Sequence, residues 1–286
     1  MPIAAPAPPR PSTRQLPAPF LKWAGGKRQL LPRLLAAAPL TIDTYYEPFV
    51  GGGALFFALR AAQRFRRAVL ADCNADLIRC YQALQADVDG VIGALRSLSY
   101  DEAEYYKVRA ADPSMMDASG RAARTIYLNK VGFNGLYRVN SSGQFNVPFG
   151  RYSRPLICDE PRLRAAATAL QGVQLLCQDF TRTVEPAGSG DFVYFDPPYV
   201  PLSATSSFTA YAEGSFGPEE QQQLARTLRE LGGRKVPALL SNSDCEVSRA
   251  LYRGLRPRTV QVRRSINSVA TRRGPVGELL VKSFSF

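Results

Sequence analysis

Between residues 45 and 72 the chain reads as strand, glycine loop, helix, strand and acid, an order that restricts the fold more than any other feature. An apolar strand at 45–49 leads to Gly51, Gly52 and Gly53, helical patterning follows over 54–63, and a second strand at 68–71 ends in Asp72. A strand that feeds a helix through glycines and returns to a second strand is the opening of a doubly wound sheet. A helix is expected just before it, at about 27–38. The same alternation resumes after residue 155, with apolar strands at 173–176, 192–195, 238–240, 259–262 and 278–284 and a helix at about 218–231. The last two strands suit an antiparallel pair joined by a basic turn through Arg272, Arg273 and Gly274. Residues 75–155 interrupt the pattern. Their first part reads as helical, with Ser99 and Glu102 spaced as a capping box ahead of Tyr105, Tyr106 and Val108. Their second part, 132–149, is rich in Gly, Asn and Pro and reads as loops and short strands. The expected class is therefore α/β: a Rossmann-like sheet from 20–74 and 156–286, with 75–155 as a mainly helical insertion. Residues 1–19, rich in Pro and Ala, read as a disordered leader.

Composition narrows the chemistry. Lys and Arg number 36 against 24 Asp and Glu, a formal charge of +12 that suits either a polyanionic partner or a solvated basic surface. With no histidine at all, the chain can build no Ser-His-Asp triad, no Cys-His pair and no imidazole metal site. The five cysteines, Cys73, Cys80, Cys158, Cys177 and Cys245, are odd in number and form no CxxC pair. They are expected as buried free thiols in a reducing cytoplasm, without zinc. Pro32, Arg33 and Pro39 interrupt the apolar stretches near the N-terminus, so neither a membrane span nor a signal peptide is expected.

Three constellations carry chemistry. The glycine loop is neither a P-loop, since Arg28 follows Gly26-Lys27, nor a GxGxxG fingerprint. Glycines let a ligand approach the backbone closely, and Asp72 at the next strand end could accept both hydroxyls of a ribose. The same residues also suit a tight turn with a solvated Asp. Asp196-Pro197-Pro198-Tyr199 directly follows the strand at 192–195, at the carboxyl edge where such sheets bind ligands. An exocyclic amine is a weak nucleophile because its lone pair is delocalised. The Asp196 carboxylate and the Pro197 carbonyl could accept its two protons, and Tyr199 could stack on the base. A rigid turn capped by an aromatic is the alternative. The third constellation, 121–154, holds Arg121, Arg124, Lys130, Arg138, Arg151 and Arg154 and no acid. Tyr127, Phe133, Tyr137, Phe145, Phe149 and Tyr152 are interleaved with them. Cations meet phosphates, aromatics can wedge between bases or build core, and Asn134, Arg138 and Asn140 could read base edges.

Together these motifs resemble the Dam-type DNA adenine N6-methyltransferases (D12 class, α group). The stretch Phe20-Leu21-Lys22-Trp23-Ala24-Gly25-Gly26-Lys27 is similar to the family's N-terminal cofactor motif. The segment from Glu47 through Phe49, Gly51 and Gly53 resembles its glycine loop, and Asp72-Cys73-Asn74 its ribose motif. Leu128-Asn129-Lys130 through Arg138, continuing to Gly150, resembles its recognition segment, and Asp196 to Tyr199 its catalytic motif. The resemblance implies a cofactor, S-adenosylmethionine, leaving as S-adenosylhomocysteine, with no metal. Trp23, Lys27, Glu47, Phe49, Gly51, Gly53, Asp72, Asp179, Phe180 and Asp196 would bind it, Asp179 beside its adenine. Lys22, Arg124, Asn129, Lys130, Phe133, Asn134, Leu136, Arg138, Asn140, Pro148 and Arg151 would lie against double-stranded DNA, with Arg138 reading a guanine. Asp196, Pro197, Pro198 and Tyr199 would act on an adenine turned out of the duplex. The family's usual target is GATC. Phe133 stands where members commonly carry tyrosine. A monomer is expected, in the cytoplasm at a bacterial nucleoid or encoded by a phage. Two other readings compete: an amino methyltransferase for RNA or protein glutamine, which for glutamine usually carries Asn where this chain has Asp196, and a silent DNA-binding relative, which would have no use for Asp72, Asp196 and Lys27.

Overall fold

Prolines and glycines set where the elements begin and end. The computed structural model describes residues 15–27, 29–201, 216–263 and 275–284. Most of the expected leader and the turn through Arg272, Arg273 and Gly274 lie outside the described residues. The first helix, α1, is Leu31–Ala37, shorter than the periodicity suggests, because Pro32 is tolerated only in a first turn. Lys27 consequently sits in the turn ahead of α1, its carbonyl accepting from the Leu31 amide at 2.8 Å. Strand β1, Ile42–Glu47, stops before Pro48, which has no donor to give a ladder. Helix α2, Ala54–Ala61, and strand β2, Phe65–Asp72, complete the opening unit.

Four helices follow: α3, Ala75–Ala86; α4, Val88–Arg96; α5, Glu102–Ala110; and α6, Ala118–Val131. The cap of α5 differs from the sequence expectation. Asp101, not Ser99, accepts from the Glu104 amide at 2.7 Å, and the Ser99 hydroxyl donates to Asp101 instead. A carboxylate next to the helix outcompetes a hydroxyl two residues further back. Past α6 the chain makes a 3-10 turn at Phe133–Gly135 and two isolated antiparallel bridges, Gly132 with Phe149 and Val139 with Phe145, as its turn-rich composition predicts.

The remaining elements alternate: α7, Glu160–Leu170; β3, Gln174–Cys177; α8, Phe180–Val184; β4, Phe192–Phe195; α9, Pro218–Gly233; β5, Ala238–Ser243; α10, Glu246–Leu251; β6, Arg256–Arg263; and β7, Pro275–Lys282. The seven strands form one sheet in the order β3-β2-β1-β4-β5-β7-β6, parallel except that β7 runs antiparallel to both β5 and β6. This is the Rossmann-like methyltransferase sheet expected from the sequence. Alternate side chains feed two cores. Tyr45, Leu70, Tyr194 and Leu239 face the layer of α1, α2, α3 and α7, while Tyr46, Val193, Phe195 and Leu240 face α8 and α9. Helix α3 touches both β2 and β3 on one side and α6 on the other, joining the inserted helices to the sheet.

One expectation about the cysteines needs correction. All five are free, but Cys80 alone is buried, and Cys73 and Cys177 are exposed. Both sit where β2 and β3 run out at the carboxyl edge, beyond cover from the helix layers. Among the described residues, no helix is long and apolar enough to cross a membrane.

Ile126 of α6 is wholly buried where that helix packs on α3, α4 and α5. Ile126→Ala should lower unfolding stability by about 2–5 kcal/mol in urea denaturation, as loss of a buried aliphatic side chain does.

Candidate active site

The topology brings the carboxyl ends of β1, β2 and β4 together, and there the glycine loop, the residues before α1 and the turn after β4 enclose a cavity of about 540 Å³. Trp23, Lys27, Glu47, Phe49, Gly51, Gly53, Asp72 and the run from Asp196 to Tyr199 all line it.

The glycine loop is held from two sides. Asp72 Oδ2 accepts from the Gly51 amide at 3.2 Å and Oδ1 from the Asn74 amide at 3.0 Å. The Tyr81 hydroxyl donates to the Gly51 carbonyl at 3.1 Å. Gly51 has φ +46°, and a Cβ there would stand 2.7 Å from Trp23 Cδ1, so only glycine fits between the loop and the indole. Burial raises the Asp72 carboxyl above its ordinary pKa, against the pull of its amide donors.

Asp196 is the electrostatic centre. Its Oδ1 takes an ion pair from Lys27 Nζ at 2.8 Å and a hydrogen bond from Ser241 Oγ at 3.0 Å. Among the described residues nothing donates to Oδ2 or to the neighbouring Pro197 carbonyl. Burial pushes the Asp196 carboxyl up, while Lys27 and Ser241 pull it back. Lys27 is itself 5% exposed, donates to the Gly25 carbonyl at 2.6 Å, and lies 4.8 Å from the centre of the Tyr199 ring. That ring is fixed at its far end, where the hydroxyl donates to Glu278 Oε2 at 2.9 Å. Behind it, the Pro198 carbonyl accepts from Gln221 at 2.7 Å, and the Val200 amide donates to Asn242 at 3.0 Å. The turn is thus locked while its acceptors stay open to the cavity.

Glu47 is buried beside this centre, accepting from the Tyr45 hydroxyl at 2.9 Å. Burial pushes its carboxyl up to about 8, with the Asp196 charge adding to the rise and Tyr45 and Lys27 opposing it. Asp179 and Phe180 lie next to the cavity without lining it. Asp179 is exposed, caps α8 through the Thr181 amide at 2.8 Å, and follows Cys177, the register partner of Asp72. Phe180 stacks on Phe49 at 5.4 Å between ring centres.

The sequence-selected basic segment divides in two. Arg124 is 8% exposed and spends its guanidinium on the carbonyls of Val108 (3.0 Å) and Arg109 (2.8 Å). Asn129 is also buried. Its side chain accepts from the Lys22 amide at 2.8 Å and donates to the carbonyls of Lys22 at 2.6 Å and Gly135 at 2.9 Å. Lys130 is half-buried, its pKa pushed down to about 8 by burial and then by Arg162 and Lys22. Lys22, Phe133, Asn134, Leu136, Arg138, Asn140, Pro148 and Arg151, by contrast, are all exposed. Phe133 and Leu136 leave 48% and 38% of their surface open, an apolar tip that a folded core would not leave out. Arg138 rests on Asn146, with Nε donating to its side-chain oxygen at 2.6 Å, and Arg151 lies 3.8 Å from Glu102.

Sequence reasoning missed Ser241, Tyr194 and Glu278. The signal for the first was the polar run Ser241-Asn242-Ser243 ending an otherwise apolar strand.

Two comparisons place the chain among known proteins. The family model described as D12 class N6 adenine-specific DNA methyltransferase matches residues 23–267. A type II methyltransferase, M.MjaIII of Methanocaldococcus jannaschii, is 41% identical over 93% of this chain and 99% of its own length. The DNA adenine methylase of Escherichia coli is 40% identical over 91% of this chain and 93% of its own. That of Haemophilus influenzae is 38% identical over 92% of each.

Glu47 yields a stability prediction. A carboxyl at about 8 when folded, against 4.5 ordinarily, holds its proton more tightly in the folded protein. Its contribution to stability is therefore full below the unfolded pKa and is lost as pH rises through that window. Glu47→Gln keeps an acceptor for Tyr45 but cannot titrate. Urea denaturation across the window should show a smaller fall in stability with pH for Glu47→Gln than for the unaltered protein.

Proposed function

The chain belongs to the D12 class N6 adenine-specific DNA methyltransferases, and on that premise we propose that it transfers the methyl group of S-adenosylmethionine to adenine N6 at GATC sites in duplex DNA. The observation that carries the reading is a pair of acceptors on one cavity-lining turn, Asp196 Oδ2 and the Pro197 carbonyl, that take no donor among the described residues, followed by a Tyr199 ring tied down by Glu278.

The residues present fit the cofactor. A cavity of about 540 Å³ has the size of a small-molecule site, and the Gly51 backbone forms a cradle that any side chain would fill. Asp72 stands at the end of β2 to take ribose hydroxyls, with Trp23, Lys27, Glu47, Phe49, Gly53, Asp179 and Phe180 around or beside the cavity. Bound S-adenosylmethionine supplies a sulfonium methyl group that an amine lone pair can displace directly.

The protein's task is then positioning and electrostatics. The target adenine leaves the duplex and stacks on Tyr199. Asp196 Oδ2 and the Pro197 carbonyl each accept one N6 proton, which localises the nitrogen lone pair. Lys27 opposes the upward pull of burial on the Asp196 carboxyl, and Pro198 stiffens the turn.

Residues 75–155 form the DNA-recognition domain. Arg138 reads a guanine edge, Asn134 and Asn140 add base contacts, and Phe133 and Leu136 enter between bases. Lys22, Lys130, Pro148 and Arg151 lie along the backbone. Arg124 and Asn129 support this surface from within, through the carbonyls and amide they hold. The likeness of 128–150 to the family's recognition segment supports GATC as the site. The protein acts as a monomer in the cytoplasm, at a bacterial nucleoid or as a phage-encoded enzyme.

Transfer of labelled methyl groups to matched duplexes tests this directly. Label should enter a GATC duplex and spare both a permuted site and a GATC duplex already methylated at N6. Label in every unmethylated duplex would refute the specificity, and label in none would refute the substrate. Asp196→Ala should abolish transfer with DNA affinity largely retained. Arg138→Ala should lose discrimination at one base pair by about 1–3 kcal/mol. Equal weakening on all sequences would make Arg138 a phosphate contact.

A further inference from the structure

A carboxylate that must accept from one substrate proton in one direction needs its other oxygen tied down. Asp196 Oδ1 has two donors, Lys27 Nζ and Ser241 Oγ, and Oδ2 has none among the described residues. Ser241 is wholly buried on β5, and Tyr194, 1% exposed on β4, places its hydroxyl 2.9 Å from Ser241 Oγ. The direction of this chain is fixed by valence. An ionised carboxylate can only accept, so the single Ser241 proton goes to Asp196 and the Tyr194 proton must go to Ser241. The parallel register of β4 and β5 pairs Phe195 with Leu240, which brings Ser241 level with Asp196 across the sheet.

We propose that Ser241, oriented by Tyr194, is a positioning residue for methyl transfer: it saturates Asp196 Oδ1 and so leaves Oδ2 as the oxygen that receives the substrate amine. The proposal rests on the reading of Asp196 as the acceptor for that amine. It concerns a residue that never touches the substrate. Lys27 alone could keep Asp196 charged, but one ammonium with three rotatable donors leaves the carboxylate free to swing about its χ2. Two donors converging on Oδ1 from different elements remove that freedom. The second donor also helps keep the group ionised where burial favours the neutral form. The other titratable groups near Asp196 are Tyr45 and Glu47 of β1, Tyr199 of the turn and Glu278 of β7.

The test compares Ser241→Ala, Tyr194→Phe, the double variant and the unaltered full chain. The Asp196 carboxyl is titrated directly by 13C NMR in the free protein, its signal assigned by its loss in Asp196→Asn. Single-turnover methyl transfer is followed against pH alongside. Ser241→Ala should raise the Asp196 pKa by about one unit, the scale of one charge-assisted hydrogen bond. The acid limb of the rate profile should move up with it, and about tenfold should be lost at pH values below the shifted limb. Tyr194→Phe should shift both in the same direction by less. The double variant removes the orphaned Tyr194 hydroxyl, so it should recover thermal stability relative to Ser241→Ala without recovering the pH profile. An Asp196 signal that titrates alike in Ser241→Ala and the unaltered protein would overturn the proposal. Full transfer by Asp196→Asn would instead overturn the role of Asp196, an outcome read independently of the Ser241 titration.

Discussion

A carboxylate taken out of water must find compensation nearby, and at Asp196 that compensation organises the surrounding chain. The ion pair with Lys27, 2.8 Å long with the lysine 5% exposed, ties the segment before α1 to the end of the central strand β4. Removing either partner would leave a buried charge alone, which costs far more than the pair gains over water. The lysine reaches this point because α1 starts only at Leu31, leaving the preceding turn free to bend over the glycine loop. Trp23, in the turn just before Lys27, packs against Gly51, so one short stretch of backbone places both the indole on the glycine loop and the lysine on Asp196.

The cavity edge is unusually acidic for a buried place. Glu47, Asp196 and Glu278 are all pushed above the usual carboxylate range, chiefly by burial, and Lys27 acts on each of the three. Each acid also holds a hydrogen-bonded partner, Tyr45, Ser241 and Tyr199 respectively.

The inserted basic segment divides its residues between support and exposure. Arg124 and Asn129 are buried and hold loops through backbone carbonyls, whereas Phe133, Leu136, Arg138 and Asn140 stand out from the same scaffold. Asn129 links the Lys22 backbone to the Gly135 turn, so the exposed tip shares a rigid support with the residues leading into Trp23 and Lys27.

By itself the sequence determined the elements and the places where backbone chemistry is special. The α/β alternation, the strand at 192–195, the antiparallel last pair, the glycine loop and the prolines after Asp196 were all legible, because periodicity, missing donors and positive φ are local properties. Boundaries were less legible: the expected helix at 27–38 starts only at Leu31, where Pro32 falls in its first turn, and the expected strand at 45–49 stops at Glu47, before Pro48. The α5 cap was misplaced because two neighbouring residues could each supply an acceptor, and only their geometry shows that Asp101 takes the role. Arg124 and Arg138 looked alike in a basic, aromatic segment, since burial is a property of how α6 packs and not of its composition. What the tertiary structure alone decided is which side chains meet across strands. Ser241 lies 45 residues from Asp196 and Glu278 lies 79 from Tyr199, and their partnership is set by sheet order and register, which long-range packing chooses and no local pattern encodes.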